Sequence, residues 1–286
     1  MKRYPFLACL LLFTLLFVLL TGCSSEPPFA VLSGTEMLAQ ATSGFGHYIL
    51  TPDKPDKIKV YSHEVSFEVD GTEVTRIADI YYPPGFRFSR PQPAVIGRNG
   101  GSRWTANVSW AMAVADAGHV VVLTDILARE RKIYEAQLAA LLNQAEELFI
   151  DPTRLLFWAS GHGTTLPLTM AMNEDFPWHD SVQGIVCSSP VMQFGENIFQ
   201  FKPEDMAGDF PVFIATAQKD SFYEVRRSVE LFCEAASGID RDVTRRTCSG
   251  TKHHWMHIDS LADDTVLDED AVRLAKEMLA FVKRNI

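Results

Sequence analysis

The sequence has little positive charge for its length of 286 residues. It carries 26 lysines and arginines against 36 aspartates and glutamates, a formal net charge of −10 at pH 7. Phosphate binding needs a basic face, so this balance argues against a nucleic-acid partner. The sequence also contains no internal repeat, and 47% of its residues are hydrophobic. A chain of this length and composition can bury one large core.

The apolar run at the N-terminus is too short for a typical membrane-spanning helix. It extends from Phe6 to Leu20, whereas a spanning helix needs ~20 apolar residues. Lys2 and Arg3 precede the run and small residues follow it, which is the arrangement of a secretory signal. We therefore predict a signal peptide over residues 1–22, the alternative being an uncleaved anchor.

The residues that end this segment, Leu20-Thr21-Gly22-Cys23, resemble the bacterial lipobox. The resemblance implies that Cys23 is lipidated, becomes the mature N-terminus and anchors the protein to a membrane. Ser24 rather than aspartate follows the cysteine, and by resemblance to enterobacterial sorting this favours the outer membrane, facing the periplasm. Residues 23–56 are then a lipidated N-terminus and tether, and residues 57–286 form the folded domain.

Cysteine is scarce, with 5 residues in the whole sequence. Cys9 leaves with the signal peptide and Cys23 is acylated, so Cys187, Cys233 and Cys248 remain. An oxidising compartment permits a disulfide, and Cys233 with Cys248 is the pair that could form it. Cys187 lies in an apolar run and is predicted to be a buried, small hydrophobic residue.

Short apolar runs alternate with helical patterns from about residue 58 onwards. Asp70-Gly71 predicts a tight hairpin between strands Lys59–Val69 and Thr72–Tyr82. The spacing of apolar residues predicts helices over 134–149 and 266–282. Further strands, most of them typical of buried parallel strands, are predicted at Ala94–Ile96, Val120–Leu123, Leu155–Trp158, Gly184–Cys187, Val212–Ala215 and Asp242–Cys248. This alternation predicts an α/β protein with a mostly parallel central sheet and helices on both faces.

The order of several motifs resembles that of the α/β-hydrolase superfamily, and in particular its dienelactone-hydrolase and esterase members. Arg98-Asn99-Gly100-Gly101 resembles the oxyanion loop, and Asp151-Pro152-Thr153-Arg154 the lead into the nucleophile strand. Lys219-Asp220 resembles the turn that bears the acid, and Gly250-Thr251-Lys252-His253-His254 the turn that presents the histidine. The resemblance implies an α/β-hydrolase fold, and the short stretch between Cys187 and Pro211 leaves no room for a large lid domain.

The nucleophile of this fold sits on a sharp turn between a strand and a helix, flanked two residues away on each side by small residues. Ser160 is the serine nearest to the expected place. Its neighbours at that spacing are Trp158 and His162, which are both large. The spacing therefore argues against Ser160 as the nucleophile, although it remains the alternative.

Gly161 fits the same turn. Its neighbours at that spacing are Ala159 and Gly163, and both are small. Glycine also tolerates the strained backbone of such a turn. Because glycine has no atom that can attack a carbonyl, this assignment excludes a covalent acyl-enzyme at residue 161.

Other parts of a hydrolase site are present in the sequence. Asp220 could orient His253 through a carboxylate–imidazole hydrogen bond, although Asp220 could equally cap a turn or helix. His253 could instead be an exposed loop residue, and His254 is the alternative base. Backbone N–H groups of Asn99, Gly100, Gly101 and His162 are the expected oxyanion or ligand-binding donors, and such donors do not depend on side chains.

His253, His254 and His257 form a His-His-x-x-His pattern that could indicate zinc. Adjacent residues in an extended segment point in opposite directions, so the pattern does not predict a converging set of ligands. We expect no metal and no cofactor.

The sequence leaves several functions open. The first is an incomplete serine hydrolase that binds a small carbonyl- or carboxylate-bearing ligand, or a protein partner, with Gly161 at the nucleophile position. The second is an active ester or acyl hydrolase that uses Ser160 or a water activated by His253 and Asp220. The third is a structural lipoprotein.

Overall fold

The structure is a computed structural model that describes residues 26–44, 46–98, 103–126, 130–191, 206–249, 253–258 and 268–286. The predicted signal peptide and lipidated Cys23 lie outside these ranges, and so do Asn99, Gly100 and Gly101.

The strands of the described ranges form one large sheet and one small one. In chain order they are β1 (Leu32–Ser33), β2 (His47–Tyr48), β3 (Lys59–Val69), β4 (Thr72–Tyr82), β5 (Gln92–Arg98), β6 (Val120–Thr124), β7 (Ile150–Ser160), β8 (Val182–Ser188), β9 (Val212–Ala217), β10 (Val243–Cys248) and β11 (His257–Ile258). The large sheet has the order β1-β3-β4-β6-β5-β7-β8-β9-β10, and β2 pairs with β11. Pairs from β6 through β10 are parallel, whereas β1, β3 and β4 are antiparallel to their neighbours.

The first hairpin follows from its turn residues. Asp70 and Gly71 have φ of 50° and 78°, the left-handed conformation that a two-residue hairpin turn requires at both positions. The turn sets the register of the hairpin, in which Val69 pairs with Thr72 and Lys59 with Tyr82. The strand bounds predicted for this hairpin are confirmed.

Helices cover both faces of the large sheet, as predicted. They are α1 (Gly34–Gln40), α2 (Thr105–Asp116), α3 (Arg131–Asn143), α4 (Thr165–Ala171), α5 (Tyr223–Ser237) and α6 (Glu269–Asn285). One apolar core contains side chains of α3, α4 and α5, and a second core contains side chains of α1, α2 and α6. Successive residues of the central strands alternate between these cores: Leu155 and Phe157 belong to the first, Leu156 and Trp158 to the second. No helix of the described residues is long and apolar enough to cross a membrane.

The folded domain begins before residue 57, which is the start predicted from the sequence. β1 pairs with β3 through Leu32 and Val60. Ser33 caps α1 in a capping box with Glu36, and Met37 and Tyr48 are fully buried. Much of the segment predicted to be a tether therefore packs on the domain. Its elements are too short to give a periodic pattern in the sequence.

The predicted disulfide between Cys233 and Cys248 is wrong, since Cys187, Cys233 and Cys248 are all free thiols. Cys233 lies on α5 and packs against the first core, whereas Cys248, at the end of β10, belongs to the second core. The sheet separates the two side chains. Cys187 is fully buried, as predicted, and burial raises the pKa of its thiol.

Candidate functional site

The chain turns sharply where β7 ends. Ser160 is still extended, with φ of −136° and ψ of 143°. Gly161, the next residue, has φ of 52°, and a short 3-10 turn, Gly161–Thr164, then leads into α4. A positive φ favours glycine over residues with a Cβ. The structure thus places Gly161, rather than Ser160, at the strained position between strand and helix.

The small neighbours of Gly161 have a specific steric cause. A Cβ built on Gly163 would lie 2.8 Å from Nη2 of Arg98 and 3.2 Å from its Nε. A side chain at residue 163 would therefore displace this guanidinium. On the other side, Ala159 is buried, with 4% of its surface exposed. The close neighbour of Gly163 is therefore an arginine side chain.

Asp220 and His253 are in contact and buried. His253 Nδ1 lies 3.1 Å from Oδ2 of Asp220 and 3.3 Å from Oδ1. The two residues are 3% and 8% exposed, so little solvent weakens the interaction. This is the geometry in which a carboxylate fixes the tautomer and orientation of an imidazole.

Asp220 also supports the turn before α5. Its Oδ1 accepts a hydrogen bond from the backbone N–H of Phe222 at 2.9 Å. The helix begins at Tyr223, with Phe222 as a cap residue whose own side chain makes no capping bond. The Asp220 carboxylate therefore makes both contacts considered from the sequence: it lies against the imidazole of His253 and it caps the turn.

The other ring nitrogen of His253 faces the elbow. A Cβ built on Gly161 would lie 3.7 Å from His253 Nε2, and among the described residues, apart from the chain neighbours, no other heavy atom would lie within 4 Å. Asp220, His253 and Gly161 thus come together in the order expected of acid, base and nucleophile position. Residue 161 itself, being glycine, has no side-chain heavy atom.

Ser160 and His254, the alternatives from the sequence, lie nearby in different surroundings. Ser160 is exposed, and among the described residues its hydroxyl makes no hydrogen bond to either histidine. The His254 ring centroid is 4.7 Å from that of His253. Burial, and then the neighbouring His253, lower the pKa of His254. Asp220 directs its carboxylate to His253.

His162 is the one expected backbone donor within the described residues. It follows Gly161 directly in the 3-10 turn, and its side chain is exposed. In this fold the backbone N–H after the nucleophile position contributes to the oxyanion hole.

A cavity of about 410 Å³ opens over Gly161. Its wall includes His253, His254 and His257, the backbone of the elbow, and a group of aromatic side chains: Trp104, Trp110, Trp158 and Phe222. The volume falls within the range of small-molecule sites, ~300–1,000 Å³. The mainly aromatic wall favours a ligand with an apolar part.

Several residues of this cavity were missed by the sequence reasoning. The ring of Phe222 contacts that of His253 at a centroid distance of 4.3 Å, and the position of Phe222 two residues after Asp220 could have pointed to this contact. Trp110 and Trp158 contact each other at 5.1 Å, but they come from α2 and β7, and no local pattern joins them. Within the described residues, no group of three or more His, Cys, Asp or Glu side chains is arranged to hold a metal ion.

No protein-family model and no curated protein matches the chain. Solved structures match it at low sequence identity. Esterase 2 of Thermogutta terrifontis, phosphoramylated by tabun, has a TM-score of 0.57 at 17% identity and covers 77% of this chain and 94% of its own. Esterase Est22 has a TM-score of 0.61 at 17% identity, covering 89% and 94%. Carboxyl esterase 2 of the mycorrhizal fungus Tuber melanosporum has a TM-score of 0.61 at 16% identity, covering 84% and 91%.

These likenesses agree with the mostly parallel sheet, the helices on both of its faces and the turn after β7. Over the described residues no separate lid domain is inserted between the strands. The chain has the α/β-hydrolase fold.

Proposed function

We propose that this protein binds a small carbonyl- or carboxylate-bearing ligand in the cavity over Gly161 and forms no acyl-enzyme with it. The observation that carries the proposal is the position of Gly161, with positive φ and its α-carbon opposite His253 Nε2. Esterases of this fold attack their substrates with a side-chain nucleophile. Glycine supplies none, so the cavity can hold a ligand without bonding to it.

A fluorophosphonate probe tests this proposal because it labels activated serines. We expect a purified form that begins after Cys23 to remain unlabelled, since no serine lies at the elbow. Strong labelling at any serine would overturn the proposal. Ser160→Ala is the matched control: labelling that disappears in this variant would identify Ser160 as an active nucleophile.

A second candidate function is ester hydrolysis by activated water. The intact pair of Asp220 and His253 favours it, because Nε2 of this oriented imidazole faces the cavity. In this reaction Nε2 accepts a proton from water while the water oxygen attacks the ester carbonyl carbon. Asp220 stabilises the imidazolium, which then gives the proton to the leaving alkoxide as the carbon–oxygen bond breaks.

Turnover of p-nitrophenyl acetate separates the routes. If water is the nucleophile, His253→Ala abolishes turnover and Ser160→Ala leaves it unchanged. Loss in both variants would support Ser160 as the nucleophile. Rates that are equal in both variants and the parent protein would exclude both routes.

We also propose that the protein is a lipoprotein of the bacterial envelope, anchored through Cys23 and facing the periplasm from the outer membrane. The support is the sequence: a basic start, a short apolar run, and Leu20-Thr21-Gly22-Cys23 followed by Ser24. We expect the full chain to incorporate labelled palmitate and to partition into detergent. Cys23→Ser should lose both properties, and palmitate retained by that variant would contradict the anchor.

A further inference from the structure

Building on the proposed binding function, we infer that the ligand of the cavity carries a hydroxyl group on an aromatic ring. This hydroxyl lies over Gly161 and donates a hydrogen bond to Nε2 of His253. The ligand thereby supplies the group that a serine at the elbow would supply. The inference adds a hydrogen-bond donor to the carbonyl- or carboxylate-bearing ligand proposed above and fixes the place of that donor in the cavity.

The contact with Asp220 decides which ring nitrogen of His253 carries the proton. A carboxylate can only accept hydrogen bonds, and Nδ1 of His253 lies 3.1 Å from Oδ2 of Asp220. In the neutral imidazole, Nδ1 therefore carries the proton and Nε2 presents a lone pair. A ligand group that binds to Nε2 must accordingly donate. A hydroxyl can do so, whereas a carbonyl, an ether or a carboxylate cannot.

The space beside Nε2 opens to the cavity. Among the described residues no group donates a hydrogen bond to Nε2, and a Cβ built on Gly161 would approach this nitrogen alone, at 3.7 Å. His253 and Gly161 both line the cavity, and 7% of the His253 side chain remains exposed. An oxygen over Gly161 can come within the hydrogen-bond distance of roughly 2.7–3.2 Å from Nε2. Glycine at residue 161 thus leaves room for a ligand oxygen beside an acceptor.

A ligand that covers the elbow without donating would leave this acceptor unpaired. His253 is 8% exposed, so a ligand in the cavity removes the remaining contact of its ring with water. A polar group that loses water without gaining a partner weakens binding. The site should therefore discriminate against an analogue that lacks the hydroxyl.

The cavity wall favours a neutral hydroxyl over an ammonium group. An ammonium carries three donors and a charge, and both need compensation. No aspartate or glutamate belongs to the described wall of the cavity. Asp220 is 3% exposed, and its oxygens already face Nδ1 of His253 and the N–H of Phe222. A hydroxyl needs a single acceptor to satisfy its donor, and Nε2 provides it.

Phe222 indicates that the hydroxyl belongs to an aromatic ring. Its ring centroid lies 4.3 Å from that of His253, and yet 43% of the residue is exposed. Trp104 also lines the cavity. A ligand ring packed against Phe222 would cover this apolar surface and bring a hydroxyl on the ring to Nε2. A phenol has both the ring and the donor.

Three ketones that differ at one ring position test the inference. They are 4-(4-hydroxyphenyl)butan-2-one (the phenolic ketone), 4-(4-methoxyphenyl)butan-2-one (the methoxy ketone) and 4-phenylbutan-2-one (the unsubstituted ketone). All three carry a carbonyl and an aromatic ring, but only the phenolic ketone can donate a hydrogen bond. Isothermal titration calorimetry of the full chain measures their dissociation constants. We expect the phenolic ketone to bind roughly three- to tenfold more tightly than the other two, as one neutral hydrogen bond implies.

Asp220→Asn tests whether Nε2 is the acceptor. Because Oδ1 accepts the N–H of Phe222 at 2.9 Å, the asparagine nitrogen replaces Oδ2 and donates to Nδ1, so that the proton moves to Nε2. Nε2 then donates, and a methoxy oxygen can accept its hydrogen bond as a phenol oxygen can. The preference for the phenolic over the methoxy ketone should disappear. Gly161→Ser should also remove it, since the serine hydroxyl would take the place of the ligand hydroxyl at Nε2.

Asp180→Asn is the matched control, because it makes the same substitution at an exposed residue just before β8, whereas the cavity lies over the turn at the end of β7. It should leave all three affinities unchanged. Equal affinities for the three ketones in the parent protein would overturn the inference and leave ligand binding intact, whether or not the variants fold. A preference that persists in Asp220→Asn would also overturn it. Binding of none of the three would count against the proposed binding function as well as against the inference.

Discussion

Replacing Gly161 with serine would place a hydroxyl at the elbow, opposite a base that is already oriented. A Cβ at residue 161 lies 3.7 Å from His253 Nε2. The Oγ is one bond further, so a rotamer directed at the imidazole brings it within the roughly 2.6–3.2 Å over which a base can take its proton. Asp220 holds the opposite ring nitrogen at 3.1 Å. Gly161→Ser therefore completes a serine–histidine–aspartate arrangement.

The substitution should also destabilise the fold by a predictable amount. Residue 161 has φ of 52°, and a residue with a Cβ costs roughly 1–2 kcal/mol in this left-handed region. For a large domain each kcal/mol lowers Tm by roughly 2–4 °C, so we expect Gly161→Ser to lower Tm by about 2–8 °C. We expect the folded variant to react with a fluorophosphonate probe, unlike the parent protein.

Gly161→Ala is the control for this experiment because it introduces the same backbone strain without a hydroxyl. It should show the same loss of Tm and no labelling. Adding His253→Ala to Gly161→Ser should abolish the labelling. A Gly161→Ser protein that folds, shows the expected Tm and stays unlabelled would refute the reasoning that residue 161 occupies the nucleophile position.

Three further outcomes follow from the same contacts. Burial lowers the pKa of His257 from its ordinary value of 6.5 to about 3, so between these pH values the unfolded chain binds a proton that the folded chain does not. Through this group the free energy of unfolding should therefore fall by about 2 kcal/mol from pH 7 to pH 5. Denaturant unfolding of His257→Gln should show a smaller fall, and a fall as large as that of the parent protein would contradict the assignment. Gly163→Ala should lower Tm, because its Cβ would lie 2.8 Å from Arg98 Nη2; an unchanged Tm would show that the guanidinium moves aside at no cost. A reducing agent should leave Tm unchanged, because Cys233 and Cys248 are free, and a fall in Tm would indicate a disulfide.

Much of the fold could be predicted because its strands and turns have strong local signals. The tight-turn signal of Asp70-Gly71 located the hairpin of β3 and β4. The sharp turn at Gly161 could be predicted from the sequence, because a positive φ is a local requirement that glycine meets. The helix predicted over 134–149 ends earlier, at Asn143. The turns that follow also bury apolar side chains, Ala145 and Leu148, so the apolar spacing continues beyond the end of the helix.

The errors and omissions concern contacts between distant parts of the chain. The Cys233–Cys248 prediction failed because a sequence does not show which face of the sheet a residue of α5 and a residue at the end of β10 will occupy. The packing of Arg98 against Gly163 joins β5 to the turn after β7. It depends on β5 and β7 being neighbours in the sheet, which is a property of the topology and not of either segment.

The presence of the Asp220–His253 pair beside a glycine does not by itself argue for catalysis. Asp220 accepts a hydrogen bond from the backbone N–H of Phe222 at 2.9 Å, and the ring of Phe222 in turn contacts that of His253. The pair therefore stabilises the turn before α5 whatever chemistry the cavity performs. Asp220→Asn separates the two roles, because an amide oxygen can still accept the N–H of Phe222 but carries no charge to stabilise an imidazolium. If the pair is structural, Asp220→Asn should keep a near-parental Tm and the parental rate of p-nitrophenyl acetate turnover. If water is activated, Tm should likewise hold while the rate falls steeply, and a rate that did not fall would exclude the hydrolytic role.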